Sequence, residues 1–393
     1  MKIGKIPRIL MPPEQSFFLF GPRGTGKSTW LRDRLPDAIF VDLLDYSLFM
    51  KLSADPHALE ALIGQRPEGT WVVLDEIQKI PLLLDEVHRL MESRKWHFAL
   101  SGSSARKLRR GGVNLLAGRA VTRHLGAFSA SELGAAFNLE LALEWGSLPV
   151  VAANYETAAD TLNAYLNTYI REEIREEALL RREPPFLRFL GIAGLLNGQM
   201  VNAQGIARDA SVPRSSVDSY FSILTDTLVG CFLPAYRPVL KVREQTHPKF
   251  YWFDSGLARA AAGLLFDPVE RLWKGTALET LIYQEMRIFN EVRQKHRLIS
   301  YYRTAAGVEI DFVVETRKRQ ESNPPHVVCI EVKMAEKWDR GWEKPARSLS
   351  ADSRIVVDRM IGVYRGERAW HYDGFDVLPV CDFLRQLHDG SVF

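Results

Sequence analysis

Phe17-Phe18-Leu19-Phe20-Gly21-Pro22-Arg23-Gly24-Thr25-Gly26-Lys27-Ser28 decides the fold of the first third of this chain. Four consecutive apolar residues fit a strand covered on both faces, as in a parallel sheet. The eight that follow match G-x-x-x-x-G-K-[ST] at every fixed position, a phosphate-binding loop set between a strand and a helix. Glycines let main-chain N–H groups turn inward around an anion, and the helix opening near Lys27 adds its dipole. In that geometry Lys27 reaches the β- and γ-phosphates of a nucleotide and the Ser28 hydroxyl coordinates Mg²⁺. Gly21, Pro22, Arg23, Gly24, Thr25, Gly26 and Thr29 complete the expected nucleotide contacts.

A second element supports the first. Trp71-Val72-Val73-Leu74-Asp75-Glu76 is an apolar run ending in two acids, which puts both carboxylates at the carboxyl end of a strand. Asp75 is placed to hold the Mg²⁺ shell and Glu76 to polarise an attacking water; the alternative is a strand ending in a solvated acidic turn. Further strands are expected over Ser16–Phe20, Ala38–Val41, Phe98–Ser101 and Ala120–Leu125, so residues 1–155 read as a parallel α/β domain. Leu100-Ser101-Gly102-Ser103-Ser104 closes one of these strands, and Ser101 or Ser103 is available to sense a γ-phosphate. Beyond it, Arg106, Lys107, Arg109 and Arg110 are either a solvated basic face or contacts to nucleic-acid phosphates. Arg119 is either an arginine finger offered to a neighbouring subunit or one half of a salt bridge within the domain.

Residues 156–265 carry a helical pattern broken at Pro184-Pro185. Within it, Val201–Tyr220 reads as a helix-turn-helix, with Ile206 and Ala207 inward and Val217, Tyr220 and Leu224 on an apolar face. Ser215 or Ser216 is expected to cap the second helix. In a DNA reader Arg208, Arg214, Ser215 and Ser216 would be the contacts; in a lid or dimerisation element they would not.

Residues 266–393 combine a helix over Thr276–Arg293 with strands over Ser300–Arg303, Glu309–Val314, Val327–Val332 and Arg354–Val357. Lys249–Phe253 is a further strand just before them. Strand periodicity sets Asp311 beside Glu331 and Lys333, while Glu279 lies on the helix. Paired carboxylates bind Mg²⁺, and a nearby lysine steadies an attacking hydroxide; otherwise Glu331 and Lys333 form a cross-strand surface pair. The order helix Glu, strand Asp, Glu-x-Lys is the pattern of PD-(D/E)XK nucleases.

Composition bounds these readings. The chain has 393 residues, 46% apolar and 25% charged, with a formal charge of +3, so nucleic-acid binding has to come from local patches. Met1–Pro13 lacks the apolar core of a secretory signal, and no apolar run approaches a membrane span; a cytoplasmic location is expected. Cys231, Cys329 and Cys381 are far apart among apolar neighbours and read as buried thiols, neither disulfides nor a zinc site.

Taken together the chain resembles a prokaryotic family of AAA-type ATPases carrying a C-terminal domain of unknown function with a PD-(D/E)XK nuclease-like core. The resemblance runs over nearly the whole chain. It rests on the phosphate-binding loop, Val41-Asp42-Leu43-Leu44, Leu74-Asp75-Glu76-Ile77-Gln78, Ser101-Gly102-Ser103-Ser104, Leu116-Ala117-Gly118-Arg119, Tyr169-Ile170-Arg171-Glu172-Glu173-Ile174, Tyr251-Trp252-Phe253-Asp254-Ser255-Gly256-Leu257 and Ile330-Glu331-Val332-Lys333. Arg171-Glu172 stands where the family has Arg-Asp. The resemblance implies an α/β fold in three parts: a P-loop AAA-type core, a helical or winged-helix middle, and a PD-(D/E)XK-like end. It also implies ATP and Mg²⁺ as ligands, a homo-oligomer expected to be a hexamer, and DNA as partner, duplex or branched as in a Holliday junction. Lys27, Glu76 and Arg119 would be the catalytic residues. Two other functions fit the same residues: an ATP-controlled signalling or defence switch with a degenerate nuclease-like domain, and an ATP-gated metal-dependent nuclease.

Overall fold

A computed structural model describes residues 6–104, 108, 116, 118–170, 183–237, 247–304, 307–320 and 323–393. Arg106, Lys107, Arg109 and Arg110 lie outside the described residues, as does Arg171-Glu172.

The apolar runs of the first part become five parallel strands: β1 (Phe17–Phe20), β2 (Ile39–Asp42), β3 (Trp71–Asp75), β4 (His97–Gly102) and β5 (Val121–His124). They are ordered β2-β3-β4-β1-β5. Side chains alternate across the sheet. Phe18, Phe20, Val72 and Leu74 enter one core, and Phe17, Leu19, Trp30 and Val73 enter the other. Because β4 lies between β1 and β3, the phosphate loop, the Asp75-Glu76 turn and the Ser101–Ser103 turn share the carboxyl edge of the sheet. Ligands of open parallel sheets bind at that edge.

In the middle, helix Glu183–Leu195, β6 (Gln199–Met200), helices Ala203–Ala210 and Arg214–Asp226, β7 (Gly230–Leu233) and β8 (Lys249–Trp252) follow in order. The strands form an antiparallel sheet ordered β6-β8-β7. The expected inward residues Ile206, Ala207, Val217, Tyr220 and Leu224 are all buried there with Phe186, Phe189 and Phe221. Ser215 and Ser216 do not cap the second helix. Its first residue is Arg214 and Pro213 precedes it with no side-chain cap, because proline presets the backbone angle for helix entry and has no N–H to satisfy. Asn202 caps the first helix by accepting from the Gly205 amide at 3.1 Å.

The last part opens on the long helix Arg271–Val292, then β9 (Leu298–Arg303), β10 (Glu309–Arg317) and β11 (His326–Lys333). These strands run antiparallel in turn. Helix Lys344–Ser350 crosses over to β12 (Val356–Tyr364), which is parallel to β11. β13 (Trp370–Tyr372) and β14 (Phe375–Pro379) complete a sheet ordered β13-β14-β12-β11-β10-β9, and helix Val380–Asp389 closes the chain. Of the three cysteines only Cys329 is buried; Cys231 is half-buried and Cys381 exposed. Cys381 sits on the outer face of a helix whose Val380, Phe383 and Leu384 face the core.

One element touches all three parts. Along the long helix, Glu279 faces the C-terminal sheet and Gln284 donates to the Trp252 carbonyl at 3.2 Å in the middle part. Glu291 accepts from the His124 amide at the end of β5 at 3.1 Å. Between them Glu285, 1% exposed, accepts from the Ala130 amide and meets His388 Nε2, both at 2.6 Å. Removing a fully engaged buried carboxylate strands both partners, at about 1–3 kcal/mol for each unsatisfied group. Glu285→Ala should therefore lower the urea midpoint of the whole chain, followed by circular dichroism, whereas a midpoint equal to the parent's would show that the helix is held elsewhere.

Candidate functional site

The carboxyl edge of the first sheet is built from its backbone outward. Gly24 and Gly26 have φ of 69° and 85°, the left-handed region that turns successive amides toward one centre and favours glycine. Nothing lies within 4 Å of where a Gly26 side chain would begin, while at Gly24 it would meet Tyr165 and Val150 at 3.5 Å. Lys27, 5% exposed, donates to the Gly21 and Pro22 carbonyls at 2.7 and 3.2 Å, which holds its ammonium inside the loop. The Thr25 hydroxyl braces the turn by donating to the Pro22 carbonyl at 2.7 Å. Ser28 is half-buried and Thr29 exposed in the first helical turn.

On the neighbouring strands, the Ser101 hydroxyl hydrogen-bonds the buried Asp75 carboxylate, and the Glu76 amide donates to the same hydroxyl at 3.3 Å. Glu76 itself takes φ 63° and ψ 44°. A non-glycine residue there is strained, and such strain collects at working sites. Gln78 Nε2 donates to the Glu76 carboxylate and, at 3.1 Å, to the Ser103 hydroxyl. Its other amide atom, Oε1, is buried without a partner. Gln78 was legible only as part of the Leu74–Gln78 run, with no role attached.

These residues fit a nucleotide and its metal. Inward amides and a buried ammonium suit a polyphosphate; a serine hydroxyl and an aspartate are the hard oxygen donors Mg²⁺ takes beside phosphates. Bound there, Mg²⁺ would neutralise charge on the β- and γ-phosphate oxygens. The chain's own groups would orient the phosphates at Lys27 and place a water against Glu76.

Three contacts that the sequence did not reveal fix this loop to its surroundings. Buried Arg8 donates to the Thr25, Gly126 and Ala127 carbonyls at 2.9, 2.9 and 3.1 Å, and pairs with Glu132 at 2.9 Å. Burial lowers its guanidinium pKa and Glu132 pulls it back. From the middle part, the Tyr165 hydroxyl donates to the Arg23 carbonyl at 3.1 Å. Gly21 packs so closely that a side chain would begin 2.1 Å from the Leu125 carbonyl oxygen. Lone arginines and tyrosines far from a motif carry no pattern that announces such roles. Arg119 is half-exposed and pairs with Glu92 at 2.8 Å in its own domain, the second of its two expected states; exposed pairs of this kind exchange readily with water.

The second constellation is assembled as spacing suggests. Asp311 Oδ2 accepts from the Val332 amide at 2.8 Å, and Lys333 Nζ lies 3.5 Å from Asp311 and 2.5 Å from Glu331. Glu279 accepts from the Tyr251 hydroxyl at 3.2 Å. Lys249 and Tyr251 on β8 were not expected here. Lys249 pairs with Glu309 and lends positive charge to Asp311 and Glu279. Burial, then the charge of Asp311, pushes the Glu279 and Glu331 carboxyls up to about 8. Burial opposes charge on Lys333, but Asp311 and Glu331 outweigh it and raise its pKa. Among the described residues no group of three or more His, Cys, Asp or Glu side chains has metal-holding spacing; here the acids are interleaved with lysines. On the helix pair Ala203–Ala210 and Arg214–Asp226, Arg208, Arg214 and Ser215 are exposed and Ser216 half-buried, with Arg208 Nε 3.3 Å from Asp209.

Two outcomes follow from these contacts. Arg8→Ala should raise the Kd for a fluorescent ATP analogue by about tenfold, roughly the 1.4 kcal/mol expected when a preorganised loop is loosened, with the circular dichroism spectrum unchanged. An unchanged Kd would mean that the loop keeps its shape unaided. Glu279 has a folded pKa above its ordinary 4.5, so the folding stability it contributes is present below pH 4.5 and lost as pH rises through about 8. Glu279→Gln should thus gain stability over the parent at pH 9 and gain little at pH 4.5 in urea titrations; an equal difference at both pH values would contradict the buried-acid picture.

Comparison with known families places names on parts of the chain. Residues 136–267 and 274–383 match models described as domains of unknown function, DUF8612 and DUF4143. No curated protein matches the chain. Among the described residues no helix is long and apolar enough to cross a membrane. Residues 13–134 match the model of an AAA domain, so the chain carries an N-terminal domain of the AAA-type ATPases, which implies nucleotide binding, typically with Mg²⁺, and ATPase activity.

Proposed function

We propose that the chain is an oligomeric motor, a hexamer, that hydrolyses ATP to bind and remodel DNA, branched junctions included. The observation that carries this reading is the attachment of two DNA-suited modules to one AAA domain through the long helix. One module has the element order of a winged helix, helix–strand–helix–helix–strand–strand, with Arg208 and Arg214 exposed beside the second helix of the pair. The other runs helix–strand–strand–strand–helix–strand with Glu279, Asp311, Glu331 and Lys333 gathered at one point, the pattern of a PD-(D/E)XK core. In the motor, Lys27 holds the β- and γ-phosphates, Glu76 polarises the water, and Ser103 reports the γ-phosphate through Gln78 to Glu76. Ser28 and Asp75 hold Mg²⁺, and Arg119 exchanges Glu92 for the γ-phosphate of a neighbouring subunit.

A second reading, an ATP-controlled switch with a relic nuclease-like domain, is favoured by one observation: the Lys333 ammonium sits 3.5 Å from Asp311 and 2.5 Å from Glu331, the place between paired acids that a metal would take. The two readings part in one assay. ATP turnover should rise several-fold with junction or duplex DNA and fall at least a hundredfold in Glu76→Gln, while that variant still binds nucleotide. Arg119→Ala should remove turnover without weakening ATP binding if the finger acts in trans. Turnover indifferent to every DNA at low salt would eliminate the motor reading and leave the switch.

A further inference from the structure

The end of β11 opens onto a groove that the sites above do not use. Met334 follows Lys333 directly. It lines a cavity of about 440 Å³ with Arg271 and Lys274 of the long helix, Glu336 and Arg365. Glu336 and Arg365 also line a second cavity, of about 670 Å³, with Lys337, Arg368 and Trp370, so the two adjoin. Gly275 sets the helix so near that its missing side chain would begin 4.0 Å from Met334 Cβ. Glu279, one turn further along, lies on the same helical face.

Its charge is unbalanced. Arg271, Lys337 and Arg368 line it with no side-chain hydrogen bond or ion pair among the described residues. Lys274 and Arg365 share a single carboxylate, Glu140, at 2.6 and 2.7 Å. Five cations thus face Glu140, Glu336 and Glu367. At the outer end Trp370 is 44% exposed, its ring near-parallel to Tyr372 at 15° and 6.2 Å and steadied by an indole N–H donated to the Tyr364 hydroxyl at 3.2 Å.

We infer that this groove binds a single strand of nucleic acid, phosphates along Arg271, Lys337 and Arg368 and a base stacked on Trp370. A cation-lined channel with an aromatic platform is what single strands require, because only unpaired bases offer a free face. Cavities on the scale of ligand pockets, about 300–1,000 Å³ each, have room for a few nucleotides of one strand. Glu140 occupies the place of a phosphate between Lys274 and Arg365, and a bound strand displaces it. The inference rests on the DNA-directed reading for its biological setting.

The test uses the full chain and a fluorescein-labelled oligothymidine in anisotropy titrations across salt. Lys337→Ala with Arg368→Ala, both exposed and unpartnered, should weaken binding about tenfold and reduce the salt slope by roughly 1.4, two phosphate contacts at about 0.7 each. Trp370→Ala should weaken it about tenfold with the slope unchanged, and Trp370→Phe should restore most of the loss. Parental affinity in both the double variant and Trp370→Ala overturns the inference. So does equal displacement by polyglutamate, which would mark an acidic protein as the occupant, or equal groove-dependent binding of duplex. ATP turnover read in the same samples separates the two ideas. Groove-dependent strand binding without DNA-stimulated turnover sinks the motor reading alone, and stimulated turnover with indifferent groove variants sinks the groove alone.

Discussion

A buried carboxylate in the long helix holds this molecule in register. Glu285 has two oxygens and no solvent; one takes the Ala130 amide and the other His388. Burying an acid is costly unless each lone pair finds a donor, so the helix tolerates Glu285 only when the segment after β5 and the closing helix are both in place. Glu291 repeats the logic at the His124 amide, and Val292 adds an apolar contact to the core beneath β1 and β5. The helix is consequently a shared wall, and the direction in which Glu279 points is set by contacts several turns away.

The two charged centres on either side of that wall follow opposite electrostatic rules. Around Gly24 and Gly26 the protein supplies amides and one ammonium, an arrangement that waits for negative charge from outside. Around Asp311 the negative charge is internal, and Lys249, Lys333 and raised carboxyl pKa values quench it. Local chemistry differs, but both centres depend on β-strand ends for placement. Strand ends are where backbone direction changes while the preceding residues remain locked in a sheet.

What the amino-acid order revealed follows from how local each signal is. The phosphate loop, the Asp75-Glu76 turn and Glu331-x-Lys333 are contiguous, and each begins or ends on an apolar run, so spacing alone placed them. Arg8, Tyr165 and Lys249 reach their sites across long sequence separations, as Arg8 does to Glu132 over 124 positions; no periodicity records such contacts. Strand β12 was expected to start at Arg354. It starts at Val356 instead, because Asp352 folds the chain back by accepting from the Arg354 amide and guanidinium. The short strands β13 and β14 went unread, since Trp370–Tyr372 and Phe375–Pro379 are too brief for a period to show. Residue type offers Ser215 or Ser216 as the cap of the second helix, and the proline before Arg214 overrules either.

The Glu285 and Glu291 bonds also carry a consequence for biosynthesis. Ala130 and His124 leave the ribosome 155 and 167 positions ahead of the carboxylates that will satisfy them. At about 5–20 residues per second, that gap lasts roughly 10–30 s. Throughout it a nascent AAA domain displays two bare main-chain amides. Any factor that greets a nascent chain meets those amides before the protein's own helix can.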